Sequence, residues 1–165
     1  MTVQGALIAE NISDDDPYAW IGRVLTHFAI AEQAIGQLCL RLDLSISNGS
    51  LTSIAILRSR LRNSADRKCH SLERRIERWH AHRPLRHLLA HATVLCLTDG
   101  AGAKVLVTRH LPRDAQDVTP DKVWTLAERV ELLRQATNDG RSINDHVRGL
   151  LADPVRLARL RSGEA

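Results

Sequence analysis

Residues 79–91, which read Trp-His-Ala-His-Arg-Pro-Leu-Arg-His-Leu-Leu-Ala-His, hold four of the chain's eight histidines and two of its arginines. Histidine is the side chain best suited to moving protons near neutral pH. An arginine beside it is a planar cation that binds a phosphate group and stabilises negative charge developing on it. The segment therefore has the side chains needed for acid–base chemistry on a phosphate ester.

Cleavage of RNA without a metal ion needs a base for the 2′-hydroxyl, an acid for the departing 5′-oxygen and a cation for the pentavalent phosphorus. Arg86, His87 and His91 are groups of these types. A metal site is the second interpretation, since His80 and His82, like His87 and His91, have the spacing of metal ligands. However, the segment from His87 to His91 lacks the glutamate of the HExxH hydrolases, and no cysteine lies close enough in sequence to complete an obvious structural zinc site. We therefore expect no bound metal.

The segment Arg86-His87-Leu88-Leu89-Ala90-His91 resembles the R-x4-6-H signature of HEPN-domain ribonucleases, in which a polar residue follows the arginine. Its context is similar to that family too, because the motif comes after a long helical stretch that holds Glu32. The resemblance covers roughly residues 18–151 in the order of elements. It implies a metal-independent endoribonuclease without a cofactor. It also implies a toxin–antitoxin or phage-defence setting, in which a neighbouring gene supplies an antitoxin protein.

The resemblance implies a role for each residue of the motif. His91 is expected to act as general acid or base, Arg86 as the ligand of the phosphate and its transition state, and His87 as an orienting group. Glu32 is expected to hold Arg86 or a histidine, unless it is only an exposed edge residue beside the apolar stripe of its helix. Four further arginines are predicted to bind the RNA backbone: Arg74, Arg75, Arg78 and Arg83.

Helix geometry bears on how the motif would work. Arg86 and His91 are five residues apart, so they lie roughly 140° apart around a helix axis, whereas His87 and His91 share a face. One copy of the helix does not aim both groups at one phosphate, but two copies facing across a twofold axis do. We therefore predict a homodimer with a composite site. The non-enzymatic alternative is a HEPN-like helical dimer that binds a partner protein or nucleic acid without cutting it.

Positive charge is concentrated next to the motif. Residues 56–87 carry ten basic and three acidic side chains, a net charge of +7, whereas residues 1–55 have a net charge of −4 and residues 88–165 of +1. Such a block is typical of a protein that binds an anionic partner, most often nucleic acid. A solvated helix face, or a genome rich in G and C that favours arginine codons, is the alternative. With only five aromatic residues in the chain, RNA is expected to be held by its backbone rather than by base stacking.

The pattern of apolar residues predicts a mainly α fold, a small helical bundle with a β-hairpin before the last long helix, and the resemblance implies that this bundle is HEPN-like. Residues 1–16 are expected to be a flexible lead-in, residues 17–153 a single helical domain with its hairpin at about 94–108, and residues 154–165 a basic tail.

Asp16-Pro17 predicts the start of the first helix, and Thr125 with Glu128 predicts a capping box for the last, with a break at 138–140 left open. Residues 45–50 are expected to form a loop and residues 110–124 a connection. Gly22 and Gly36 are interpreted as sites of close helix packing.

The cysteine count and the hydropathy pattern limit where the protein works. Three cysteines without a CxxC motif make a disulfide scaffold improbable and favour a reducing compartment. The first 16 residues lack the basic start and apolar run of a signal peptide, and no apolar stretch approaches 18 residues. We therefore expect a soluble cytoplasmic protein that does not bind a membrane.

Overall fold

The computed structural model describes residues 16–44, 51–110 and 120–163. These residues form a helical bundle with a small antiparallel sheet inserted before the last long helix, as the sequence predicts. In chain order the elements are α1 (Pro17–Arg41), α2 (Leu51–Asn63), α3 (Arg67–Ala81), α4 (Arg83–His91), β1 (Thr93–Thr98), β2 (Lys104–Arg109), β3 (Lys122–Trp124), α5 (Leu126–Leu151) and α6 (Pro154–Ser162).

Side-chain caps fix where the two long helices begin. The carboxylate of Asp16 accepts a hydrogen bond from the Tyr18 backbone N–H, and Pro17 opens α1. Thr125 and Glu128 form a reciprocal capping box at the start of α5. Each cap satisfies backbone N–H groups that have no partner within the helix. Both predicted helix starts are confirmed.

The core lies between α1, α3 and α5. The most extensive interface joins α1 to α5, and α3 also packs against α5. Apolar residues at helical spacing on each helix are fully buried there, for example Val24 and Phe28 on α1, Ile76 on α3, and Ile143 on α5. The apolar stripes predicted from the sequence therefore meet in one core, and α4 packs on its outside against α1.

The sheet contains the predicted hairpin and one strand more. β1 pairs with β2 and β2 with β3, both antiparallel, in the order β1-β2-β3. β3 falls within the segment that the sequence interprets as a connection. It is held by Trp124, which is buried and whose indole N–H donates to the hydroxyl of Thr108 on β2 at 3.0 Å. The rings of Trp124 and Trp20 also meet, so the sheet is anchored to α1.

Several boundaries differ from the sequence-based expectations. The apolar pattern predicts that α3 begins at about Ser71, but it begins at Arg67, because Asp66 caps it, and α5 runs without a break through residues 138–140. Residues 154–162 form a helix rather than a tail, and its Leu160 is buried. Gly22 and Gly36 face open space, so the interpretation of close packing there is wrong. The expected lead-in at 1–15 and the expected loop at 45–50 lie outside the described residues.

Within the described ranges, no helix combines the length and the apolar character needed to cross a membrane.

Candidate active site

The motif residues lie on α4, a helix of nine residues that follows α3 after a single intervening residue, His82. Proline at position 84 fits the first turn of a helix, where its missing N–H costs nothing. Leu89 is buried and Leu85 and Leu88 are half-buried against the core, which fixes the rotation of α4 about its axis. His87 and His91 are consequently on the exposed side of the helix.

Arg86 forms an ion pair with Glu32 of α1. Its Nη2 atom lies 3.1 Å from Oε2 of Glu32, and each side chain is about one-third exposed, at 32% and 31%. Of the alternatives left open for Glu32, the structure thus has the contact with Arg86. A charge-assisted hydrogen bond of this kind restricts the orientation of the guanidinium while leaving other N–H donors free to bind a ligand.

His87 and His91 lie one helical turn apart with their rings in contact. The ring centroids are 4.5 Å apart and the ring planes are inclined at 49°. Because both imidazoles are exposed, they are open to solvent and to a ligand. The contact makes His87 a neighbour able to orient the His91 ring.

Two of the four arginines predicted to bind the RNA backbone are paired with a carboxylate. Arg75 and Arg78 on α3 both contact Oδ1 of Asp139 on α5, at 3.5 and 3.0 Å. The Asp139 side chain is only 7% exposed, whereas that of Arg78 is 55% exposed. Asp139 therefore offsets part of the positive charge that the sequence places here, and part of the basic block serves to join α3 to α5.

The other two arginines differ from each other. The guanidinium of Arg83 lies over the ring of the buried Trp79, 5.8 Å from the ring centroid, which is a cation–π contact. Arg74 is exposed, and within the described residues it makes no hydrogen bond or ion pair. Of the four, Arg74 is thus the one whose charge is neither paired nor stacked.

A second charged cluster joins α2 to α3. The buried carboxylate of Glu73 accepts hydrogen bonds from Arg58 at 2.9 Å and from Arg62 at 2.6 Å. Burial raises the pKa of Glu73, but the hydrogen bonds from Arg62 and Arg58 outweigh burial and hold the pKa below its ordinary value. Glu73 is therefore a fixed negative charge that orients two arginines.

His80, at the end of α3, is half-buried and lies near the positive charges of Arg83 and Arg58. Burial, Arg83 and Arg58 together lower the pKa of its imidazole, so the neutral form is favoured. Across the described ranges, no three His, Cys, Asp or Glu side chains come together in a way that could hold a metal ion.

Sequence reasoning missed Asp139 and the contact between Trp79 and Arg83. A signal for Asp139 is present, because residues 132, 136, 139 and 143 follow one helical stripe and the other three are apolar. A charged residue on such a stripe is buried and requires a partner. The Asn-Asp-Gly sequence at 138–140 resembles a turn and concealed this pattern.

Comparison of the chain with protein-family models, with curated proteins and with solved structures finds no significant match. No family is assigned by similarity. The geometry of the candidate site is therefore the evidence for it. The guanidinium of Arg86 on α4 is held by the carboxylate of Glu32 on α1, and the imidazoles of His87 and His91 contact each other on the exposed side of α4.

Proposed function

We propose that this protein is a metal-independent endoribonuclease of the HEPN type, with Arg86, His87 and His91 as its reactive groups and a composite site formed by two copies. The observation that carries this proposal is the ion pair between Arg86 and Glu32. It links the motif arginine to the one acidic residue that the resemblance associates with it, on a different helix 54 residues away.

The proposed reaction uses the side chains as follows. An imidazole of His91 takes the proton of the 2′-hydroxyl, whose oxygen attacks the adjacent phosphorus. Arg86 binds the phosphate oxygens as negative charge grows on them. The bond from phosphorus to the 5′-oxygen then breaks, and that oxygen takes the proton from the same His91, whose imidazolium returns to the neutral form. The products are a 2′,3′-cyclic phosphate and a 5′-hydroxyl, so atoms and protons balance without a metal.

The setting of this activity belongs to the same proposal. A toxin or phage-defence ribonuclease of the cytoplasm acts on cellular RNA and is held in check by an antitoxin protein. The cysteines are compatible with a reducing compartment, since Cys39, Cys69 and Cys96 are free thiols and two of them are buried.

The alternative is a HEPN-like dimer that binds a partner protein or nucleic acid but does not cut. In such a dimer the ion pair would have a structural role only, with Glu32 offsetting part of the charge that Arg86 needs for a phosphate. RNA cleavage by the purified protein separates the two functions.

Cleavage is measured with and without EDTA for the unmodified protein, Arg86→Ala and His91→Ala, with Arg148→Ala as the control. Arg148 is an exposed arginine of α5, so its removal changes the net charge equally. We expect EDTA-resistant cleavage, cyclic phosphate ends, and a rate about 10²–10⁴ lower in each motif variant. Unchanged cleavage in either motif variant would rule out the proposed site. Binding without cleavage would favour the alternative.

A further inference from the structure

A basic cleft lies between the end of α2 and the exposed side of α3, apart from the motif. It has a volume of about 350 Å³ and is lined by Arg62, Arg67, His70, Glu73 and Arg74, which we call the α3 cleft. Three arginines and one carboxylate give it an excess of positive charge. None of these residues belongs to the R-x4-H motif.

The single carboxylate of the α3 cleft is already engaged. Glu73 accepts hydrogen bonds from both Arg58 and Arg62, which fixes Arg62 at the edge of the cleft. Arg67 and Arg74 make no hydrogen bond or ion pair with any residue in the described ranges. The α3 cleft thus holds two arginines whose charge no carboxylate of the described chain offsets.

The spacing of the α3 residues brings their side chains to one face. Positions 67, 70 and 74 follow each other at intervals of three and four, so they lie in a row along the exposed side of the helix. The cleft is lined by three positive charges, those of Arg62, Arg67 and Arg74, and they attract an anion bound between them. Arginine's planar N–H donors match the oxygens of a phosphate group.

The ligand that fits this chemistry is a phosphodiester of an RNA strand. The α3 cleft has no Phe, Tyr or Trp side chain, and four of the chain's five such side chains are buried, so base stacking in the cleft is limited to the imidazole of His70. A nucleic-acid strand that is bound through its phosphates, without contacts to its bases, therefore fits the cleft better than a free nucleotide does. From Arg74, α3 rises about 12 Å along its axis to His82, next to the motif helix.

We infer that the α3 cleft is a second phosphate-binding subsite, which holds an RNA strand a few nucleotides away from the bond that the motif cleaves. This inference rests on the proposed function for its connection to cleavage. It predicts that a strand long enough to reach from the motif to the cleft binds more tightly than a short one.

The test measures binding of a labelled single-stranded RNA by fluorescence anisotropy, in a protein that carries Arg86→Ala and His91→Ala so that no cleavage occurs. Adding Arg67→Ala and Arg74→Ala is expected to weaken binding about tenfold near 0.1 M salt. It is also expected to reduce the slope of log affinity against log salt by about 1.4, since each contact to single-stranded nucleic acid contributes about 0.7. Lysine at both positions keeps the charge and is expected to restore most of the affinity.

The matched control removes the same charge elsewhere. Arg148→Ala with Arg159→Ala takes two exposed arginines from α5 and α6, and binding is expected to stay within about twofold. Equal losses in the control and the cleft variant, or an unchanged salt slope, would overturn the inference. If polyglutamate of equal charge binds the cleft as tightly as RNA, the ligand is an acidic protein instead and the RNA assignment is overturned.

Cleavage by proteins with an intact motif keeps the two proposals apart. If cleft variants raise KM for long RNA and leave kcat unchanged, both proposals are supported. If the unmodified protein never cleaves but the cleft variant still loses affinity and salt slope, the proposed function fails and the subsite stands. If Arg86→Ala abolishes cleavage while the cleft variant binds normally, the subsite fails and the function stands.

Discussion

The main-chain oxygen of His27 in α1 lies where a side chain at Gly140 in α5 would have to be. A Cβ placed on Gly140 would be 2.7 Å from that oxygen. No real contact is so short, so the two longest helices approach closely because residue 140 has no side chain. The sequence at 138–140 is therefore a site of helix crossing and not a break in α5.

The crossing predicts opposite effects of the same substitution at two positions of α5. Gly140→Ala is expected to lower the free energy of unfolding by about 1–3 kcal/mol, because the new methyl group forces backbone apart. Gly149→Ala, where nothing lies within 4 Å, is expected to raise it by about 0.5–1 kcal/mol through helix propensity. Urea denaturation measures both. Equal effects at the two positions would contradict the close approach at residue 140.

The proposed composite site predicts that two inactive proteins restore each other. A dimer of one Arg86→Ala copy and one His91→Ala copy contains one complete pair of groups if the arginine and histidine come from different copies. Mixing the two variants under conditions of subunit exchange is expected to recover about a quarter of the unmodified activity. About half of the dimers are then mixed, and one of the two sites in each mixed dimer is complete. Mixing either variant with itself is the control. Absence of recovery despite demonstrated exchange would assign both groups to one copy.

The ion pair at the motif predicts that Glu32 acts through Arg86. Glu32→Ala is expected to reduce kcat about 10- to 100-fold with little change in KM, because the guanidinium loses its orientation. Glu32→Gln keeps an oxygen that accepts the hydrogen bond, so a smaller loss is expected. Because the pair is one-third exposed, stability is expected to change by no more than about 1 kcal/mol. Gln33→Ala, at the neighbouring exposed position, is the control, and an equal fall in its kcat would contradict the positioning role.

The capping box of α5 predicts a loss of stability in acid. Hydrogen bonds from Lys122 and from Thr125 lower the pKa of Glu128 from 4.5 to about 2. A carboxyl whose pKa is lower in the folded state stabilises the fold above its unfolded pKa, and this contribution is lost as pH falls through the folded value. The difference in free energy of unfolding between the unmodified protein and Glu128→Ala is thus expected to be constant above about pH 5 and to shrink from there towards pH 2. Urea denaturation at a series of pH values tests it.

Lys122→Met supplies the control for this pH dependence. It removes the largest cause of the lowered pKa and leaves Thr125 in place. The pH range over which the contribution disappears is expected to move up towards 4.5 in this variant. If the range does not move, the hydrogen bond from Lys122 is not what lowers the pKa of Glu128.

Much of the secondary structure was determined by local sequence. Asp16 before Pro17, the Thr125–Glu128 capping box and the apolar stripes each act over a few residues, so their helices could be predicted. The hairpin could be predicted for the same reason. β3 could not, because a strand of three residues is held by contacts with residues distant in sequence, among them the hydrogen bond of Trp124 to Thr108 and its ring contact with Trp20.

For the candidate site too, some features could be predicted from the sequence and others could not. The sequence by itself determined the motif residues, their order on one helix and the concentration of arginine around them. Only the tertiary structure decided which arginines are paired: Arg86 with Glu32, and Arg75 and Arg78 with Asp139, while Arg74 has no carboxylate partner in the described ranges. The physical reason is that an ion pair depends on a few ångströms between side chains far apart in sequence, and helix crossings such as that at Gly140 set those distances.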